Sequence, residues 1–289
     1  MKHNSKKRTM AFAVAMMVTM GMSMSVWADA SQVDDYSKEN KTGGTQTITQ
    51  ESHQKKYGRD VVYGAWANQG DNFTFENLKF ADGSKEKNTD GIPLGTEIAA
   101  DTGGTITING GSIDIPNGWL STDGGTININ HADVKDSGAW VNSGEINFKD
   151  STLTGGTLHV GADSQDSDGT LNIVNTKAAV DTIELINTKD SVKNTLYIKG
   201  DSQVTANSTT IDGNNSLVVE NTNTANQIQF NAGDLTIQNG SDIQLLGSVN
   251  LTVNNLNVVG SDSEFTVSKG SQSTINGEAH IDGKISLDD

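Results

Sequence analysis

The chain has 289 residues, with 20 Lys and Arg against 36 Asp and Glu, a formal net charge of -16 and no Cys. Without Cys there is no disulfide framework, thiolate metal site or cysteine nucleophile. So acidic a chain is not built to neutralise nucleic-acid phosphates, which takes clustered Lys and Arg, and its alternating apolar segments exclude a simply disordered polymer.

The first segment stands apart from the rest. All seven Met lie between Met1 and Met24. Lys2, Lys6, Lys7 and Arg8 precede an apolar run from Met10 to Trp27, which ends at Ala28-Asp29-Ala30. A charged start, an apolar middle and small residues in an A-x-A site make residues 1–30 a secretory signal peptide cut after Ala30. Val26-Trp27-Ala28 is a second candidate site, and a retained membrane anchor is the competing reading. The remaining chain carries a net charge of -19 and no Met. Nothing in it is apolar over a length that would span a bilayer as a helix.

Residues 31–60 are polar, with Asp34, Asp35, Lys38, Glu39, Lys41, Glu51, Lys55, Lys56 and Arg59 and one candidate strand near Thr45–Thr49. They read as a polar leader or an N-terminal cap, since an uncovered first coil of a repeat protein invites edge pairing.

Over residues 61–289 one pattern returns: Gly or Asn, a polar residue, then apolar-polar-apolar. Gly104-Thr105-Ile106-Thr107-Ile108 is followed by Gly125-Thr126-Ile127-Asn128-Ile129 and Gly144-Glu145-Ile146-Asn147-Phe148. Gly156-Thr157-Leu158, Gly169-Thr170-Leu171-Asn172-Ile173, Asn194-Thr195-Leu196, Asn215-Ser216-Leu217, Gly233-Asp234-Leu235, Gly247-Ser248-Val249 and Gly283-Lys284-Ile285 continue it. Each unit is a short period-2 strand with one buried face, and Gly, Asn and Asp separate the strands because they accept the positive φ of tight turns. No sustained 3.6-residue period with caps marks a helix. From Gly104 through Gly125, Gly144, Gly169 and Asn194 to Asn215 the units recur every 19–25 residues, with an extra strand at Gly156, so that one repeat holds two or three short strands. The spacing predicts an all-β fold, a single-stranded parallel β-helix (β-solenoid) in which inward residues stack in apolar columns and outward Asn and Thr form hydrogen-bonded ladders. An antiparallel sandwich is the runner-up; it does not need each strand to resemble the last.

Three aromatic units follow the same rhythm: Ala65-Trp66-Ala67-Asn68, Gly118-Trp119-Leu120 and Ala139-Trp140-Val141-Asn142. Trp119 and Trp140 are 21 residues apart, one coil, and are expected to stack on each other in adjacent coils. An inward stack that adds core area is the favoured placement; an outward strip for sugar rings is the alternative.

A signal peptide followed by degenerate Gly-Thr-Ile-x-Ile-Asn coils and Ala-aromatic-x-Asn-x-Gly turns resembles the passenger region of autotransporter proteins, the type V secreted proteins of diderm bacteria, over roughly Val61 to Asp289. The resemblance implies a right-handed β-helix, an adhesin or biofilm role at the cell surface, and a C-terminal outer-membrane β-barrel. No membrane-type strand set is visible in this sequence, so the chain is expected to be the truncated N-terminal part of such a passenger, or to be released.

The β-helix also hosts polysaccharide lyases and hydrolases. Lyases of that kind use a basic residue, and Arg59 is the single Arg after the signal segment. Glycoside hydrolysis needs two carboxylates across a cleft, and no pair stands out among the turn Asp and Glu. His53, His131, His159 and His280 lack metal-ligand spacing; His159, at the polar position of a strand, is expected to be outward and solvated. Asp163, Asp166 and Asp168, in a loop closed by Gly169, are the candidate Ca²⁺ ligands, although no bidentate Glu follows them. A solvated loop is the competing reading.

The expected function is therefore that of an exported, non-enzymatic surface β-solenoid. Its partners would be host or bacterial surface glycans or proteins, or further copies of itself. Export machinery and an outer-membrane barrel would act on it, and nucleic acid would not be a partner. A secreted carbohydrate-active enzyme and a purely structural stalk are the alternatives.

Overall fold

The computed structural model describes residues 44–83, 97–116, 118–162, 167–187, 189–221 and 225–288. The signal segment with Ala28-Asp29-Ala30, and Asp163 and Asp166, lie outside the described residues.

The fold is an all-β solenoid of about ten turns, built from parallel strands stacked coil on coil. Each full turn contributes a strand to each of three sheets. The first sheet runs from Thr45–Thr49 through Asn72–Glu76 and Thr105–Asn109 to Lys284–Asp288. The second contains Lys79–Ala81, Ser112–Asp114, Asp133–Lys135 and Thr152–Thr154. The third contains Ala65–Ala67, Ile98–Asp101 and Thr157–Val160. Long strands such as Trp119–Asn130 and Gly138–Lys149 cross a corner and belong to the third sheet and then the first.

Alternation within each strand builds the core. In Asn72–Glu76 the residues Phe73 and Phe75 are fully buried and their neighbours are not. Register then stacks like on like. Phe73, Ile106, Ile127, Ile146, Leu171 and Leu196 form one column through successive coils. Phe75, Ile108, Ile129, Phe148, Ile173 and Ile198 form the next. Burying each such side chain stabilises the fold by about 1.5–3 kcal/mol, and a one-residue slip would turn a whole column to solvent.

The corners are just as regular. Asn77, His131, Asp150 and Asn175 have φ near +50° and share one corner with Gly110 and Gly200, and each residue of this stack from Asn77 to Asn175 donates its N–H to the next coil. A second corner is held from inside. Fully buried Asn194 accepts the Gly169 N–H on Oδ1 at 2.8 Å, its own N–H goes to Asn215 Oδ1 at 2.9 Å, and the Asn215 N–H goes to Ser241 Oγ. Ser151, Thr176 and Ser202 do the same at another corner. These side chains replace ladder bonds that a bent backbone cannot make.

Outside, asparagines hydrogen-bond to their own copies: Asn147 donates to Asn128 at 2.9 Å, and Asn172 to Asn147 at 2.8 Å.

The repeat unit serves all three sheets: Thr157–Val160, the extra strand within its coil, and Leu235 belong to the third sheet and Val249 to the second. Corner residues, mostly Gly, Asn or Asp with His131 among them, are each followed by a half-buried strand, so the same pattern serves all of them. The first coils are also longer than the interval at which the units recur, with Thr45 pairing with Asn72 and Asn72 in turn with Thr105. The candidate strand Thr45–Thr49 is present and already belongs to the stack, whereas the expectation of no helix is corrected: an α-helix, Gln50–Tyr57, occupies the first coil. Its capping box joins Thr49 and Ser52, and Gly58 closes it at φ 69°. Its one buried residue is His53, so no apolar stripe announces it. His53 Nε2 lies 3.0 Å from the Val61 carbonyl, and burial lowers its pKa.

Candidate functional site

The outer face of the third sheet carries the chemically richest cluster. In its register Trp66 pairs with Ala99, Ala99 with Ser121, Ser121 with Trp140, Trp140 with His159 and His159 with Glu184. Inward neighbours Leu120, Ala139 and Val141 are fully buried, while Trp66, Trp119 and Trp140 are part-exposed. Strand alternation therefore aims the three indoles outward, which corrects the inward placement.

Trp119 and Trp140 do touch, edge to face, with centroids 5.2 Å apart and planes at 88°. They are not register partners: Trp119 pairs with Gly138, and Trp140 with Ser121, so the contact is diagonal. Trp140 then stacks on the His159 imidazole at 4.1 Å and 28°. His159 Nδ1 lies 3.2 Å from Glu184 Oε2 and Nε2 lies 2.9 Å from the Gly161 carbonyl. The interaction with His159 holds Glu184 below the usual carboxylate range. His159 is outward but only 8% exposed, because the indole covers it, which corrects the solvated placement.

Carboxylates frame the rings. Trp66 Nε1 donates to Asp101 Oδ2 at 2.9 Å, and Trp140 Nε1 to Asn142 Oδ1 at 2.7 Å. Ser121 Oγ donates to Glu97 Oε1 at 2.5 Å, and Ser143 Oγ to Asp123 Oδ1 at 3.1 Å. Burial pushes the Glu97 carboxyl up to about 7, against the Ser121 hydrogen bond and with a contribution from the Asp101 charge. Burial also raises Asp101, and the Asp123 charge adds to it.

Of the proposed Ca²⁺ loop, Asp168 alone is described. Its Oδ1 accepts the Lys193 N–H at 2.9 Å, and its carbonyl accepts from Gly144. No group of three or more His, Asp or Glu placed to hold a metal ion occurs among the described residues. His131 is an exposed corner residue 3.6 Å from Asp150, and His280 is exposed in the last coil.

The sequence singles out Trp119, Trp140 and His159 and draws no attention to Glu97, Asp101, Ser121, Asp123 and Glu184. A signal for Asp101 and Asp123 is present in it: both sit three residues after an inward apolar residue of a third-sheet strand, Ile98 or Leu120, as Asn68 does after Ala65. Glu97 and Glu184 carry no motif, and only the stacking brings them to the strip. No family model, curated protein or solved structure matches this chain.

Proposed function

We propose that this chain is an exported, non-enzymatic surface solenoid of the autotransporter-passenger type, whose third sheet binds glycan. The observation that carries the reading is the outward strip of Trp66, Trp119 and Trp140 on a face whose inward residues already fill the core. Indoles offer flat apolar faces with a hydrogen-bonding edge, and their natural partners are ligands with one apolar and one polar side. Pyranose rings are of that kind. The rigid stack holds the rings in place before a ligand arrives, which lowers the ordering cost of binding. The basic n-region and the A-x-A site support export, and the net charge of -19 on the chain after residue 30 keeps such rods soluble and apart. Export machinery and an outer-membrane barrel are the partners this reading assigns.

A hydrolase is the second reading, favoured by Glu97, whose raised pKa is that of a general acid. Against it, Glu97 is 7% exposed and hydrogen-bonded to Ser121.

A glycan array probed with the purified chain tests the proposal. Binding that is lost in Trp140→Ala and Trp119→Ala, with the far-UV circular dichroism unchanged, is the expected result. Binding untouched by both substitutions overturns it. Release of reducing ends that disappears in Glu97→Gln would establish the hydrolase instead.

A further inference from the structure

We propose that the aromatic strip takes a polymer of amino sugars with free, charged amines, in preference to a neutral or an acidic glycan. This rests on the glycan-binding reading above and assigns its ligand class.

Stacking rings and a single sign of charge coincide here. Along the third-sheet strands at 97–101, 119–123, 138–142, 157–161 and 182–186 there are three carboxylates besides the buried, proton-holding Glu97, namely Asp101, Asp123 and Glu184, and no Lys or Arg. The His159 imidazole lies against Glu184. A uronic-acid polymer would bring like charge to this surface, and a neutral glycan would leave the charge unanswered. An ammonium-bearing sugar answers both features at once. Its ring stacks on an indole, and its amine reaches a carboxylate or the indole face itself, where a cation is attracted by the ring quadrupole.

The carboxylates are held ready for this. Asp101 is fixed by the Trp66 indole N–H, Asp123 by Ser143 and Glu184 by His159. Asp101 and Asp123 meet in the register of adjacent strands, so their charges repel across one coil step. A bound cation relieves that repulsion. Successive coils are about 4.7–4.9 Å apart, close to the advance of one sugar unit in an extended chain. A polymer lying along the solenoid axis therefore meets the strip in step with the coils.

Titration calorimetry on the full chain separates the ligand classes with three hexasaccharide probes: glucosamine, N-acetylglucosamine and galacturonate, at a pH where the amines are charged. The glucosamine hexamer is expected to bind at least about tenfold more tightly than the N-acetylated one, and the galacturonate hexamer not at all. Asp101→Asn combined with Asp123→Asn should erase that preference. Trp140→Ala should weaken both amino-sugar probes, while Trp140→Phe keeps a stacking face and most of the affinity. Far-UV circular dichroism checks that each variant is folded. Equal binding of the acetylated hexamer overturns the free-amine inference and leaves the glycan reading standing. Glucosamine binding that survives the Trp variants and vanishes with added salt is non-specific attraction to an acidic rod and overturns both. Failure of all three probes overturns the ligand class, and the glycan array then decides the reading beneath it.

Discussion

The six-membered ring of Trp119 occupies the space above Gly138, its register partner one coil on: a Cβ at Gly138 would lie 2.3 Å from Cζ3 and 2.4 Å from Cε3 of the indole. This glycine is needed for the approach of a side chain, with no positive φ recorded at it. Gly138→Ala should therefore leave the strand intact and displace the ring, breaking the edge-to-face contact with Trp140. Overpacking of this kind costs about 1–3 kcal/mol. The expected outcome is a lower melting temperature and a loss of near-ultraviolet Trp dichroism, with the far-ultraviolet spectrum retained. An unchanged near-ultraviolet spectrum would contradict the packing.

Glu97 makes stability depend on pH. The folded chain holds a proton at this carboxyl up to about pH 7, whereas a free Glu releases it near 4.5. The stability it contributes is fully present below about pH 4.5 and is lost as pH rises toward 7. At about 1.4 kcal/mol for each tenfold change in proton affinity, the loss is on the order of 3 kcal/mol. Urea denaturation at several pH values measures it. Glu97→Gln should flatten this part of the profile and stabilise the chain at neutral pH; a variant with the parental profile would mean that another group titrates.

The asparagine ladder should respond to its middle rung. Asn147 donates to Asn128 and accepts from Asn172, and Glu145 also accepts from Asn172. Asn147→Ala removes two ladder bonds and is expected to cost about 1–2 kcal/mol in chemical denaturation. Asn147→Asp keeps the acceptor, loses the donor and places a charge near Glu145. It should cost more at neutral pH than Asn147→Ala and recover as the pH is lowered.

Asn215 supports a corner from within. Asn215→Leu keeps the branched shape but removes the donor to the Asp212 carbonyl and leaves the Asn194 N–H without its acceptor at a fully buried site. The expected loss is about 1–3 kcal/mol, the penalty of an unpaired buried donor. Asn215→Ser should recover part of it, because Ser241 does this work one coil further with a hydroxyl. Melting temperatures of the two variants decide the matter, and equal values would count against the corner bond.

What could be read from the sequence, and what could not, follows from the range of the interactions. Strand alternation at Ile106-Thr107-Ile108 is a local pattern, and so is the Gly or Asn that turns the chain at Gly110 and Asn175. Because a solenoid pairs each coil with the next, the recurrence of local patterns carried the parallel stacking as well. Gly125, Gly144 and Gly169 do align in register, as their repeat implies. The helix Gln50–Tyr57 escapes because it buries one His and has no apolar face.

Composition, alternation and repeat interval determined the solenoid, the apolar columns and the asparagine ladders, since each is a short-range preference multiplied by the number of coils. The tertiary structure alone decided which corner each unit occupies and which side the indoles face. It also brought Glu97, Asp101 and Asp123 to one strip with Trp66 and Trp119. Those outcomes depend on coil lengths that vary by insertion, and an insertion shifts the register between sheets without changing any local pattern.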